Sequence, residues 1–308
     1  QAATLSGHAE VDADGVPTRA DLSLALGLPD KSDILLPTTG GDIFLRSAKL
    51  RFSLDAARGD NWLLDGRVSG FRRADLSIGD LSLAGEGRIG RDAADAPLFD
   101  GMLDFGAMGI SSADPATDRM LGDSMKGHVA LGWKKGQPLT LANLALSGAG
   151  ITLSGEASIS DPEKGAVVAG NLTGQVADLS RFSGLAGREI GGSADVAAGG
   201  SFTILGGTFD VAGQARGQDL RLSQPEADAI LAGASRIAFS LARDTEGTDI
   251  RSLRLEARTL SLQAQGRLRT NGSNLTATLD FTDLSALGPG YRGTLAARAE
   301  LTADGPVN

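Results

Sequence analysis

The chain has 308 residues, a formal charge of −9 and no cysteine. That excludes a disulfide framework and a thiolate zinc site, and the scattered Lys and Arg argue against a nucleic-acid surface. Hydrophobic residues make up 41% and aromatics only 4%, so the apolar material is mostly Leu, Ala, Ile and Val, and no apolar run approaches the roughly 20 residues of a membrane helix.

The chain begins at Gln1 rather than Met. Its abrupt ends are those expected of a fragment, with any anchor or export signal outside it. Asp12-Ala13-Asp14-Gly15 reads as a hairpin turn. It lacks the third oxygen ligand and the position-12 Glu of a calcium loop. Residues 71–89 (FRRADLSIGDLSLAGEGRI) are the first copy of a repeated pattern. Gly85 to Gly90 within it matches GxGxxG, but Pro97 follows too soon for the helix a dinucleotide site needs.

A short helix is predicted over Asp114 to Asp123, where Pro, acidic residues and a late Gly supply start and stop signals. The second copy follows at 141–159 (LANLALSGAGITLSGEASI). Asp178-Leu179-Ser180 begins a DLS segment, and Leu179 to Ala186 is read as a further short helix or a turn. Another is predicted over Gln224 to Gly233. The third copy lies at 250–268 (IRSLRLEARTLSLQAQGRL). Without gaps, Leu76 aligns with Leu146 and Leu255, and Leu81 with Ile151 and Leu260. From Leu253 onward the alternation is plain. Leu253 and Leu255 oppose Arg254 and Glu256. Leu260, Leu262 and Leu268 oppose Ser261 and Gln263. Leu275, Leu279 and Phe281 oppose Thr276 and Asp280. Such period-two runs are strands with one wet and one apolar face. A hairpin turn is expected at Thr270 to Ser273.

The short helices and the two DLS segments (Asp178, Asp283) place a block of roughly 105–110 residues twice, after a diverged first copy. The expected fold class is therefore all-β: an elongated, repetitive groove of mostly antiparallel strands with a few short helices. An allowance of roughly 13 residues per strand and turn gives about 24 strands in two facing sheets. One continuous domain is expected, in segments 1–113, 114–223 and 224–308. Small inward residues (Gly155, Ala157, Ala264, Gly266) leave room on the apolar face or mark bends. No catalytic residue and no cofactor is assigned. His8 and His128 are the only histidines and have no identifiable partners for a triad or metal site. The sequons at Asn171 and Asn274 are read as coincidental.

The alternating-leucine strand pairs (LRLEARTLSLQAQGRL), the short acidic helix before them and the DLS…G…G segment after them resemble the TamB family, of the wider AsmA-like group of Gram-negative bacteria. The resemblance covers essentially the whole chain, best over 114–301. It implies a taco-shaped β-structure in the periplasm, anchored in the inner membrane by an N-terminal helix not recognisable here. It also implies a partner barrel of the TamA/Omp85 type in the outer membrane, and either phospholipid transport between the membranes or help in assembling outer-membrane proteins.

The residues themselves lead to the same expectation, a face that holds acyl chains. Its candidates are Leu76, Ile78, Leu81, Leu83, Leu144, Leu146, Ile151, Leu153, Ile237, Phe239, Leu241, Leu253, Leu255, Leu260, Leu262, Leu268, Leu275, Leu279 and Phe281. The rivals are a closed core built from the same residues, a periplasmic scaffold offering strand edges to clients, and a β-helical adhesin. The adhesin is disfavoured because the repeat is far longer than a rung of 20–25 residues.

Overall fold

The computed structural model describes every residue except 1–2, 31, 37–41, 56, 58, 94, 161–164, 205, 270–271, 289 and 304–308. The described chain is all-β: nineteen strands in a single sheet, with every registered pair antiparallel. The expected count of 24 was too high because strands run up to 16 residues, longer than the allowance for strand and turn together. The chain divides into two compact units, Gln1–Glu156 and Ala157–Asn308. The repeat boundaries at 113 and 223 fall in the short connections before two of the helices. Of the turn expected at Thr270 to Ser273, residues 270–271 lie outside the described residues.

In the first unit β1 (Ala3–Val11), β2 (Pro17–Gly27), β5 (Ser47–Asp55), β6 (Asn61–Arg73), β7 (Leu76–Arg91), β8 (Pro97–Ser112), β9 (Ser124–Lys134) and β10 (Leu139–Gly148) pair in that order. A small hairpin, β3 (Ile34–Leu36) and β4 (Ile43–Leu45), joins the end of β6. β11 (Ile151–Ser160) contains the boundary between units. In the second unit β12 (Val167–Val176), β13 (Gly191–Thr203), β14 (Phe209–Arg221), β15 (Ala234–Arg243), β16 (Gly247–Glu256), β17 (Leu260–Arg269), β18 (Ser273–Phe281) and β19 (Leu295–Ala303) form another consecutive meander.

Repetition is visible in side-chain detail. Helix α1 (Pro115–Leu121) and helix α3 (Pro225–Leu231) each follow a long strand. In each, an aspartate at the fourth position reaches back to a strand-end amide: Asp118 Oδ1 accepts from Ser112 N at 2.8 Å and Asp228 Oδ1 from Leu222 N at 2.6 Å. The two DLS segments are equally alike. Asp178 caps Ser180 N and Asp283 caps Ser285 N, both at 2.9 Å, opening 3-10 turns at Leu179–Phe182 and Leu284–Leu287. The first of these runs into the short helix α2 (Ser183–Ala186), as expected.

The gapless alignment of the first copy is corrected by its turn. Ala74, at φ 48°, turns the chain between β6 and β7, so Leu76 begins a strand. Leu146 and Leu255 stand near the ends of theirs, and the turns that follow them begin five residues later in the alignment.

One corner of the first unit is a true core. Trp62 on β6 is 4% exposed and Leu54 on β5 2%, with Ala20 of β2 against them. The Trp62 ring stacks between Phe52 and Phe99, with centroids 6.2 and 5.5 Å away, and its indole N–H donates to Asp100 O at 3.0 Å. Gly85 and Gly101 make this possible, because a Cβ at either would run into the indole. The sheet curls at this corner, so β2 approaches β7 although β5 and β6 lie between them in the ladder. Arg91 at the end of β7 fastens the curl, its Nη2 donating to Asp12 at 2.8 Å and Asp14 at 2.6 Å in the β1–β2 turn. The turn itself is as expected, with Asp12 accepting from the amides of Asp14 and Val16.

Arg91 first, and then the Val16 amide, hold the Asp12 carboxyl below its ordinary value. A carboxyl whose pKa falls on folding adds stability above its unfolded value of 3.8, and that stability is lost as pH drops through the lower folded value. Asp12→Asn is therefore expected to lower the melting temperature of the first unit at pH 6. The gap to the wild type should close progressively below about pH 4. Melting curves across pH 6 to 2 check this, and a gap that persists at the acid end would contradict it.

Candidate functional site

Strand pairing carries side chains of one face into register, so each apolar position of one strand lies beside an apolar position of the next. In the first unit one row runs Leu5, Leu24, Leu50, Gly66, Leu83, Phe105, Gly127 and Leu146. In the second, a row runs Gly174, Val196, Ala215, Ile237, Leu255, Leu262, Leu279 and Ala297. Each row crosses eight strands, about 34 Å at ~4.8 Å per step. The next row of the second unit is Leu172, Ala198, Gly213, Phe239, Leu253, Ala264, Ala277 and Ala299.

All nineteen candidate residues lie in strands, and every one is half-buried, neither sealed in a core nor fully open. Among the described residues only nine hydrophobic side chains are buried, and none of the nineteen is among them. The fully buried cluster is the Trp62 corner, which the alternation did not single out.

Two β-bulges keep the face continuous. In β10, Asn143 (φ 50°) and Leu144 together stand opposite Val129, because Ala142 pairs with Ala130 and Ala145 with His128. Leu141 and Leu144, three residues apart, thereby share a face. The same shift occurs in β16, where Ile250 and Leu253 face β17 at Gly266 and Ala264, with Arg251 and Ser252 in the bulge. The first bulge lies against the preceding strand and the second against the following one, but Leu141 and Leu144 correspond to Ile250 and Leu253, 109 residues apart, so both copies of the repeat carry a bulge at this place.

The expected spare room at inward glycines is not what the glycines supply. Gly155 (φ 151°) and Gly266 (φ 157°) have backbone conformations that side chains rarely adopt, and a Cβ on Gly266 would overlap the Asn274 carbonyl. Other glycines are covered by neighbours lying flat. Phe105 covers Gly127, and the Phe239 ring end would come within 2.8 Å of a Cβ on Gly213. Large and small side chains thus level one another into a smooth apolar floor.

The opposite face is polar. It carries rows such as Gln214, Ala238, Arg254, Gln263, Thr278 and Arg298, tied by ion pairs such as Arg269–Asp249 at 3.1 Å and Arg267–Asp249 at 3.4 Å. Gly85 to Gly90 lies inside β7, a strand and not a phosphate-binding turn. His128 Nδ1 meets Asp104 at 2.8 Å, a pairing the sequence did not reveal, whereas His8 sits on exposed β1 opposite Asp21. Asn171 and Asn274 lie within β12 and β18. Among the described residues no group of His, Cys, Asp and Glu is placed to hold a metal. No helix among them is long and apolar enough to cross a membrane. The chain matches no protein-family model, no curated protein and no solved structure.

Proposed function

We propose that this chain belongs to a class of non-catalytic proteins that hold lipid acyl chains along the apolar face of an antiparallel sheet, and that each unit carries such a face. The observation that carries this reading is the uniform half-burial of the nineteen candidates. A closed core would bury them, and an ordinary wet sheet would not line up eight apolar positions in a row.

Exposing an acyl chain of about 16 carbons to water costs roughly 13 kcal/mol at ~0.8 kcal/mol per CH₂. A smooth apolar floor relieves that cost at every position without fixing the chain at one of them. With the resemblance to TamB-like proteins, the reading extends to phospholipid carried through the periplasm, between an inner-membrane anchor and an outer-membrane barrel of the TamA/Omp85 type. Both contacts would be made by parts of the protein other than these strands.

The chain purified from Gram-negative membranes or cell extract is expected to carry phospholipid detectable by mass spectrometry after removal of free detergent. A chain that stays lipid-free when offered phospholipid vesicles would refute the reading.

A further inference from the structure

The geometry points to a second site, on the polar face of the first unit, that binds a phosphate group. Two adjoining furrows there have volumes of about 710 and 600 Å³ and share Arg67, Ser82, Gly106, Lys126 and Ser147. Register explains them. Arg67 of β6, Ser82 of β7, Gly106 of β8 and Lys126 of β9 are consecutive cross-strand partners. The row is low at its centre, where Ser82 and glycine stand side by side, and high at its ends, where the two long cations rise. The furrows meet over that low saddle. A Cβ on Gly106 would lie 3.0 Å from Ser82 Oγ, so the missing side chain is what opens the basin. Ser82 Oγ, which donates to Gly106 O at 3.2 Å, lies on the floor with lone pairs and a rotatable proton.

Charge selects the ligand. The larger furrow is lined by Arg67, Lys126 and a single acid, Asp80. In the smaller one, Asp104 is engaged by His128 at 2.8 Å, and Asp65 stands opposite Arg51 in the register. Arg67 and Lys126 make no ion pair among the described residues. Two cations flanking a hydroxyl-bearing floor suit a phosphate oxyanion, with the guanidinium able to bind two oxygens at once. The exposed Met108 on the wall of the larger furrow leaves room for an apolar substituent on that phosphate. The phosphate is either that of a small soluble ester or the headgroup of a lipid.

The 308-residue chain can be titrated with glycerol phosphate, and separately with phosphatidylglycerol vesicles against phosphatidylcholine vesicles. Saturable binding of glycerol phosphate marks a soluble ester as the source. Binding of the anionic vesicles alone marks a headgroup. In either case the double variant Arg67→Gln/Lys126→Gln should weaken binding at least about tenfold, as loss of charge-assisted hydrogen bonds implies. Gly106→Leu, which fills the basin without changing charge, should weaken it comparably. Arg67 and Lys126 are exposed and Gly106 is half-buried, and unchanged melting confirms that both variants fold. Absence of binding to every probe, or binding that survives both variants, overturns the proposal. Leu262→Arg on the apolar face is the control that separates this site from acyl-chain binding, and phosphate affinity should be unchanged in it.

Discussion

Trp62→Ala is expected to destabilise the first unit by about 3–5 kcal/mol, the range found for truncating a buried Trp or Phe, and to leave the second unit unchanged. Trp62 is 4% exposed and clamped between Phe52 and Phe99. Removing it empties the space that Gly85 and Gly101 hold open and leaves Asp100 O without its indole donor. The curl at that corner rests on the same cluster, so β1 and β2 should loosen from β7 and exchange their amides faster. Half-buried Leu83→Ala in the same unit should cost only about 1–2 kcal/mol, roughly half a fully buried leucine. Denaturant unfolding of the two variants gives the comparison directly. Equal costs would mean that the leucine face is as closed as the tryptophan corner.

Leu262→Arg is expected to abolish acyl-chain binding by the second unit while leaving it folded. Leu262 pairs with Leu255 on one side and Leu279 on the other, in the middle of an eight-strand apolar row. An open floor lets the guanidinium reach water along its aliphatic stem, so the cost to folding should stay near 1–2 kcal/mol. A charge in the path of a hydrocarbon chain forfeits the apolar contact and brings a desolvation cost of several kcal/mol, enough to reduce occupancy more than a hundredfold. Circular dichroism with lipid quantification reads both consequences. Unfolding of the variant would instead show a sealed core.

The faces of the strands were legible in the sequence because side chains alternate with a period of two. Leu253, Leu255, Leu262 and Leu279 could be assigned to one side without knowing their partners. The helices at Pro115 and Pro225 and the turn at Asp12 were legible for another reason, since their signals, a proline with acidic residues in the first turn of each helix and the Asp12 side chain in the turn, are close in sequence. Features that depend on pairing across strands were not. The first repeat was misaligned because its turn, at Ala74, comes five residues earlier than the later copies suggest. The Trp62 corner joins residues of β2, β5, β6 and β8 through a curl that no single strand encodes. Arg91 meets Asp12 across 79 residues. The Arg67–Lys126 basin exists only once four strands are in register, and its signal in the sequence is a serine and a glycine that look unremarkable alone.

Site-specific photo-crosslinking tests the central claim most directly. A photoreactive side chain placed at Leu83 or Leu262, on the apolar face, should capture phospholipid acyl chains when the chain is exposed to membranes. The same group at Glu86 or Gln263, on the polar face, should not. Equal yields from the two faces, or none from Leu83 and Leu262, would contradict an acyl-chain groove built from these strands.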